Sequence, residues 1–209
     1  SWVENYTWLH KQPLALWQIA LSMWLFGTNI IAARLPMVIL HALMVYPIFR
    51  IGAIAYDKKV GYISAFLFTL LLYPLELVAG LHTAEHIDLS FMFYITVSIW
   101  CWLEWHKTKN NLWLILVGCF AGAAILTKWL VGLLVYAGFG VNLICFNNGL
   151  FRWRAWIPLV VALIITIIVF VPWQIYSAVS FPNEFAHEMA YNSLHLTQPV
   201  EGHGGDWLF

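Results

Sequence analysis

Charge is the scarcest commodity in this chain. Of 209 residues, 10 are Lys or Arg and 10 are Asp or Glu, so 10% of the sequence is charged and the formal net charge is zero. A soluble domain carries about 25% charged residues, and a chain this poor in charge cannot cover itself with a water-facing surface. The even balance also excludes a basic field for nucleic acid and an acidic tail. Cysteine is nearly as sparse. Cys101, Cys119 and Cys145 each lie in an apolar run without CxxC or Cys/His spacing, which excludes a disulfide framework and a zinc finger. Internal repeats and low-complexity segments are lacking too. So are an initiating methionine and a basic leader, and the chain stops just past the polar, glycine-containing residues 201–206. The expectation is a piece of a longer protein. What is abundant is hydrophobicity: 62% of residues are hydrophobic, 17% are aromatic and the mean hydropathy is +0.78. That composition belongs to an integral membrane protein.

Apolar runs long enough to cross a core of roughly 30 Å, which takes about 17 to 25 helical residues, alternate with short charged loops. Barrel strands would be about ten residues of strict alternation, and these runs are not. Spanning helices are expected at 30–49, 60–80, 87–103, 112–127, 129–146 and 155–173. The first apolar run, 13–26, is too short to span and is closed by Gly27, so it reads as an interfacial or re-entrant helix with Pro13 in its first turn. The fold class is therefore all-α integral membrane, with about six transmembrane helices, one N-terminal interfacial helix and an outer C-terminal tail. Residues 1–173 form the transmembrane part, and 174–209 an extracytoplasmic loop.

Loop charge orients the bundle, because cytoplasmic loops retain Lys and Arg. Arg50, Lys58, Lys59, Lys107, Lys109, Arg152 and Arg154 share one side, seven of the ten basic residues. The other side keeps Lys11, Arg34 and Lys128 but collects Glu4, Glu85, Asp88, Glu184, Glu188, Glu201 and Asp206 with six histidines. Titratable chemistry is thus concentrated on the outer face. Arg50, on the inner face, is expected to meet only headgroups and loop carboxylates. His41, alone in mid-span, reads as a hydrogen-bonded packing residue.

Three outer cations stand out. Arg34 sits about one turn inside a span, where arginine costs roughly 2.5 to 3.5 kcal/mol at the centre and less near the interface. An anionic partner would offset that cost. Lys128 interrupts the apolar stretch 112–146, and Lys11 opens the interfacial helix. Lone cations on an otherwise acidic side suit phosphate, which Lys binds as a point charge and Arg as a fork. His82, Glu85, His86 and Asp88 crowd seven residues between two spans, a set fit for proton transfer or for a divalent metal ion. Each of these features also has a plain reading: a snorkelling anchor, a tight turn, or a polar loop at an interface.

The strings HKQPLALW, FGTNIIAARLP, HTAEHIDLSFMFYITVS, GCFAGAAILTKWLVGLL, PWQIY and EGHGGDW resemble, in order, the multi-spanning glycosyltransferases of the GT-C superfamily. The closest groups are the protein O-mannosyltransferases and the aminoarabinose transferases of lipid A. The resemblance implies an enzyme that takes a sugar from a polyprenyl-phosphate carrier and passes it to a protein, lipid or glycan acceptor outside the membrane, with membrane lipid but not nucleic acid as a partner. It places the protein in a bacterial inner membrane with its site facing outward. Lys11 matches the lysine of the family's KPPL motif, Arg34 the arginine of RLP and Lys128 the lysine of LTKG, so these three are the implied donor-phosphate ligands. Gln12 stands for the first proline of KPPL, and Trp129 for the glycine of LTKG. Asp88 and Glu85 are the catalytic acids in view, with His10, His82, His86 and His203 as further outer-face candidates. His10 occupies the place of a metal-linked glutamate, so the metal ligands stay open. The family's first-loop carboxylate lies upstream of a motif like His10–Leu14, and the 209 residues alone are therefore expected not to turn over donor. The competing readings are a polytopic transporter or a lipid-binding membrane subunit.

Overall fold

The computed structural model describes residues 7–79, 87–147 and 153–194. These fall into two compact units, Ser1–Lys11 with Val171–Phe209, and Gln12–Phe170, each treated by itself below. Among the described residues every regular element is helical: α1 (Pro13–Phe26), α2 (Ile30–Ala55), α3 (Lys58–Leu70), α4 (Leu72–Ala79), α5 (Ile87–Thr108), α6 (Asn111–Lys128), α7 (Leu134–Asn147), α8 (Ile157–Ser180) and α9 (Pro182–Leu194). Short 3-10 turns at Trp129–Leu133 and Trp153–Trp156 precede α7 and α8.

Local chemistry accounts for the boundaries. Pro13 occupies the first turn of α1, where its missing N–H has no partner to lose. Gly27 ends that helix at φ 83°, a conformation open to glycine. Asn29 and Asp57 cap α2 and α3 by accepting from the backbone N–H of Ala32 at 2.9 Å and Val60 at 2.8 Å. Pro74 cannot donate to the carbonyl of Leu70, so α3 stops there and the chain resumes as α4, bent by 44°.

By length and apolarity four helical stretches can cross a membrane: Ile30–Ala55, Ile87–Thr108, Asn111–Cys145 and Trp153–Ser180; the bent α3–α4 pair makes a fifth. The third stretch is 35 residues long. It is no straight rod, because a Cβ placed on Gly132 would lie 2.8 Å from the backbone nitrogen of Ile125. Seven residues of straight helix would separate those atoms by about 10 Å. The chain therefore folds back after Lys128, and α6 and α7 are the two arms expected at 112–127 and 129–146.

The second unit is held by close packing. Val97, Cys101, Trp102, Val117, Ala121 and Phe139 form the larger core, where the Trp102 and Phe139 rings stack at 4.5 Å. Lipid supplies no hydrophobic drive between helices, so small residues that admit close approach do the joining. On α6, a Cβ on Gly118 would fall 2.6 Å from the carbonyl oxygen of Ala162, and one on Gly122 would fall 2.6 Å from Val169 Cβ, both on α8. Thr166 of α8 reinforces the seam by donating to the Gly118 carbonyl at 2.9 Å. Outward-facing Ile31, Phe66, Leu134 and Ile168 are each more than 60% exposed, which suits lipid and not water.

Helix α8 continues to Ser180 and α9 covers Pro182–Leu194, so the segment from residue 174 begins as helix. One expectation needs revision. The ring of His41 lies 4.9 Å from that of Phe68, but its Nδ1 is buried without a hydrogen-bond partner among the described residues.

Candidate functional site

Asp88 lies in the first turn of α5 and Lys128 at the last residue of α6, each at the helix end whose dipole favours its charge. Forty residues apart in sequence, they meet: Lys128 Nζ donates to Asp88 Oδ1 at 2.7 Å. Their side chains are 33% and 45% exposed. A pair this wet adds little to stability. Its effect is positional, since it holds an ammonium at the rim of the bundle with part of its surface open.

The residue after Lys128 shows how that rim is built. Trp129 takes φ 53° and ψ −150°, a region almost reserved for glycine. This is the position at which the LTKG pattern carries its glycine, the residue that adopts such a backbone freely. The strain is testable: Trp129→Gly is expected to unfold about 1 kcal/mol later than Trp129→Ala, reversing the usual order for the two residues, because glycine alone adopts this φ freely. Thermal unfolding of the two variants in detergent reads the sign.

Arg34 comes to the same end by register. Thr96 of α5 reaches Met44 Sδ of α2 at 3.9 Å, and Glu104 accepts from Arg50 Nε at 2.7 Å, with sequence separations of 52 and 54. The two helices therefore run parallel. That offset, continued along α2, sets Arg34 level with the first turn of α5 and so with Asp88. Arg34 is exposed and forms no ion pair among the described residues. Beside this level, Gln18 of α1 donates to the hydroxyl of Tyr94 and its Oε1 accepts from Ser90 at 3.0 Å, although Ser90 is fully buried. Sequence reasoning passed over these three. Their signal was present, since Ser90 and Tyr94 are polar groups four apart on one face of an apolar helix.

In the first unit, His10 Nδ1 lies 3.2 Å from Glu188 Oε2. Glu188 is only 7% exposed, and the rings of Trp8 and Tyr191 stand 6.1 and 5.4 Å from the imidazole. Lys11 follows His10 in the same unit. Glu188 was noted in the sequence only as an outer acid; its pairing depends on α9, which the apolar pattern did not disclose. His82, Glu85, His86 and His203 lie outside the described residues. Among the described residues no group of three His, Cys, Asp or Glu could hold a metal ion.

At the opposite end, Glu104 is 4% exposed and gathers Arg50 Nε, Arg50 Nη2 and Trp100 Nε1, the last at 3.0 Å. Arg50 therefore meets a carboxylate, as expected on this face, but a buried one that it neutralises. The same bond ties the ends of α2 and α5 together and puts the Lys58–Lys59 and Lys107–Lys109 loops on one side of the bundle.

An apolar helical bundle long enough to span a bilayer, with cations and a carboxylate gathered at one end, defines an integral membrane protein with a polar site at its rim. Residues 10–176 match the family described as dolichyl-phosphate-mannose-protein mannosyltransferase, and the chain belongs to that family. It is thus a membrane glycosyltransferase of the GT-C type, mannosyltransferase-like. No curated protein and no solved structure matches the chain.

Proposed function

We propose that the Asp88 end of the bundle receives a polyprenyl-phosphate sugar and passes the sugar to an acceptor on the extracytoplasmic face of a bacterial inner membrane. The family description supports the donor class, since it names a dolichyl-phosphate sugar and a protein acceptor. The seven-to-three division of basic residues supports the orientation. The single observation that carries the reading is the gathering of Arg34 and Lys128 at one depth with Asp88.

The chemistry is one displacement. An acceptor nucleophile attacks the anomeric carbon while the carbon–oxygen bond to phosphate breaks and negative charge grows on the leaving oxygen. Arg34 and Lys128 stabilise that charge. Lys11 takes the phosphate role that its KPPL-like motif implies, on sequence grounds. Asp88 holds Lys128 in place and is the acid in view for orienting the acceptor. Glu85, His82, His86 and His203 keep the outer-face roles expected from sequence, and a divalent metal ion keeps its place as a proposal on the same grounds.

The test is transfer of labelled mannose from a polyprenyl-phosphate donor by the full-length protein reconstituted in liposomes. Sugar flux without transfer would make it a transporter, and lipid binding alone a structural subunit. Asp88→Asn is expected to lower transfer by about 10²-fold. If Asp88 works by holding the ammonium, the double variant with Lys128→Met is no slower than Lys128→Met alone. Near-normal transfer by Asp88→Asn would return Asp88 to an ordinary helix start, because asparagine caps as well as aspartate.

A further inference from the structure

The end of the bundle that carries Arg50 and Glu104 holds charge that sugar transfer does not use. Three helices there place an aromatic ring and a cation on one face. On α2, Tyr46 lies one turn before Arg50; on α5, Trp100, Glu104 and Lys107 follow at spacings of four and three; on α3, Lys59 is followed by Tyr62. The rings join into a row across all three helices. Tyr62 meets Phe49 at 4.7 Å, Phe49 meets Tyr46 at 6.3 Å, and Tyr46 meets Trp100 edge-on at 5.4 Å. Tyr46 and Tyr62 are exposed, so the row looks out of the bundle.

About one turn nearer the bundle end lies a row of cations. Its middle member, Arg50, is neutralised by Glu104, but Lys59 and Lys107 are exposed and form no ion pair among the described residues. Packing fixes their depth. A Cβ on Gly52 would lie 2.9 Å from Gly61 Cα, so α3 is closed against α2 with Lys59 about level with Ile54. The bond between Arg50 and Glu104, 54 residues apart, sets Lys107 level with Ala53. The two lysines therefore stand at one depth, on either side of α2.

We propose that this face binds anionic phospholipid from the leaflet at the Arg50 end, with lipid phosphates at Lys59 and Lys107 and acyl chains against the ring row. Charge and polarity together choose the occupant. Unpaired ammonium groups attract phosphate, and exposed rings one turn deeper suit a hydrocarbon chain attached to it. A zwitterionic lipid brings its own cation to the same place and cancels the attraction. Among the described residues neither acid at this end is free for the lysines: Glu104 holds Arg50, and Asp57 accepts from the Val60 N–H at 2.8 Å.

The measurement is native mass spectrometry of the full-length protein in detergent, titrated with phosphatidylglycerol or with phosphatidylcholine of the same acyl chains. A lysine beside an anionic headgroup strengthens binding about fivefold, so two give a preference of about 25-fold for phosphatidylglycerol. The double variant Lys59→Gln with Lys107→Gln is expected to lose that preference and to keep its affinity for phosphatidylcholine. Lys109→Gln with Arg154→Gln removes the same charge from side chains that lie over Trp105 and Trp153, off the row, and is expected to keep the preference. All four cations are exposed, so both double variants should fold, with thermal midpoints equal to that of the wild type. Equal affinity of the wild-type protein for the two lipids would overturn the proposal. So would an equal loss in both double variants, which would replace a site with a diffuse attraction to net charge. Displacement of phosphatidylglycerol by an equal concentration of glycerol 3-phosphate would overturn it as well, because the rings would then have no part in binding.

Discussion

Arg34→Ala in the full-length protein is expected to lower transfer from a polyprenyl-phosphate donor by about 10² to 10³-fold in kcat/KM, the loss typical of removing one preorganised stabiliser of developing negative charge. The argument begins with cost. Arg34 sits in the second turn of a helix that spans the membrane, and it forms no ion pair among the described residues. A guanidinium there is kept at an energetic disadvantage unless an anion arrives. Parallel register with α5 brings it level with Asp88, whose partner Lys128 is the second cation at that depth. Arg34→Lys should recover only part of the activity, because an ammonium keeps the charge but not the two-pronged hydrogen bonding to phosphate oxygens. The fitting control is Lys58→Ala, an exposed lysine at the start of α3 on the opposite side. Equal residual activities of Arg34→Ala and Lys58→Ala, at matched expression, would remove Arg34 from the phosphate site.

Arg50→Ala should damage the protein by another route. Glu104 is nearly sealed from solvent, and two of its three side-chain hydrogen bonds come from Arg50. Removing the guanidinium leaves a buried carboxylate with Trp100 as its remaining donor, a change that costs about 3 to 5 kcal/mol in comparable settings. The expected signs are a lower thermal midpoint in detergent and poor yield. Transfer per folded molecule should be nearly intact, because the pair lies at the end of the bundle away from Asp88. Replacing both partners, as Arg50→Met with Glu104→Gln, should restore most of the stability, since no uncompensated charge is then buried. A midpoint for Arg50→Ala within about a degree of wild type would show that Glu104 is not held by this pair.

What was legible without coordinates was whatever depends on near neighbours in the chain. Helix α1 is bounded by Pro13 and Gly27 as the pattern requires, and Asn29 and Asp57 cap because their side chains reach N–H groups three residues on. The LTK pattern showed Trp129 standing where a glycine is usual but left its backbone open, and the structure gives it φ 53°. Helix α9 was less legible. It carries polar and apolar residues in near balance, and its helicity was hidden by the expectation that a polar segment after a span is loop.

Composition alone determined that this is a helical membrane protein, because so little charge and so much apolar length admit no water-facing fold and no barrel. The spacing of its basic residues set which loops share a side. Its pairings were another matter. Asp88 was expected as a catalytic acid or part of a metal set, and the structure shows it bonded to Lys128; Glu104 drew no notice, and it proved to be the buried partner of Arg50. Such pairings depend on how far each helix is rotated and shifted against its neighbour. In lipid, where every face is comparably apolar, rotation and shift are decided by the fit of Gly118 and Gly122 against α8 and of Trp102 against Phe139, contacts between residues far apart in the chain.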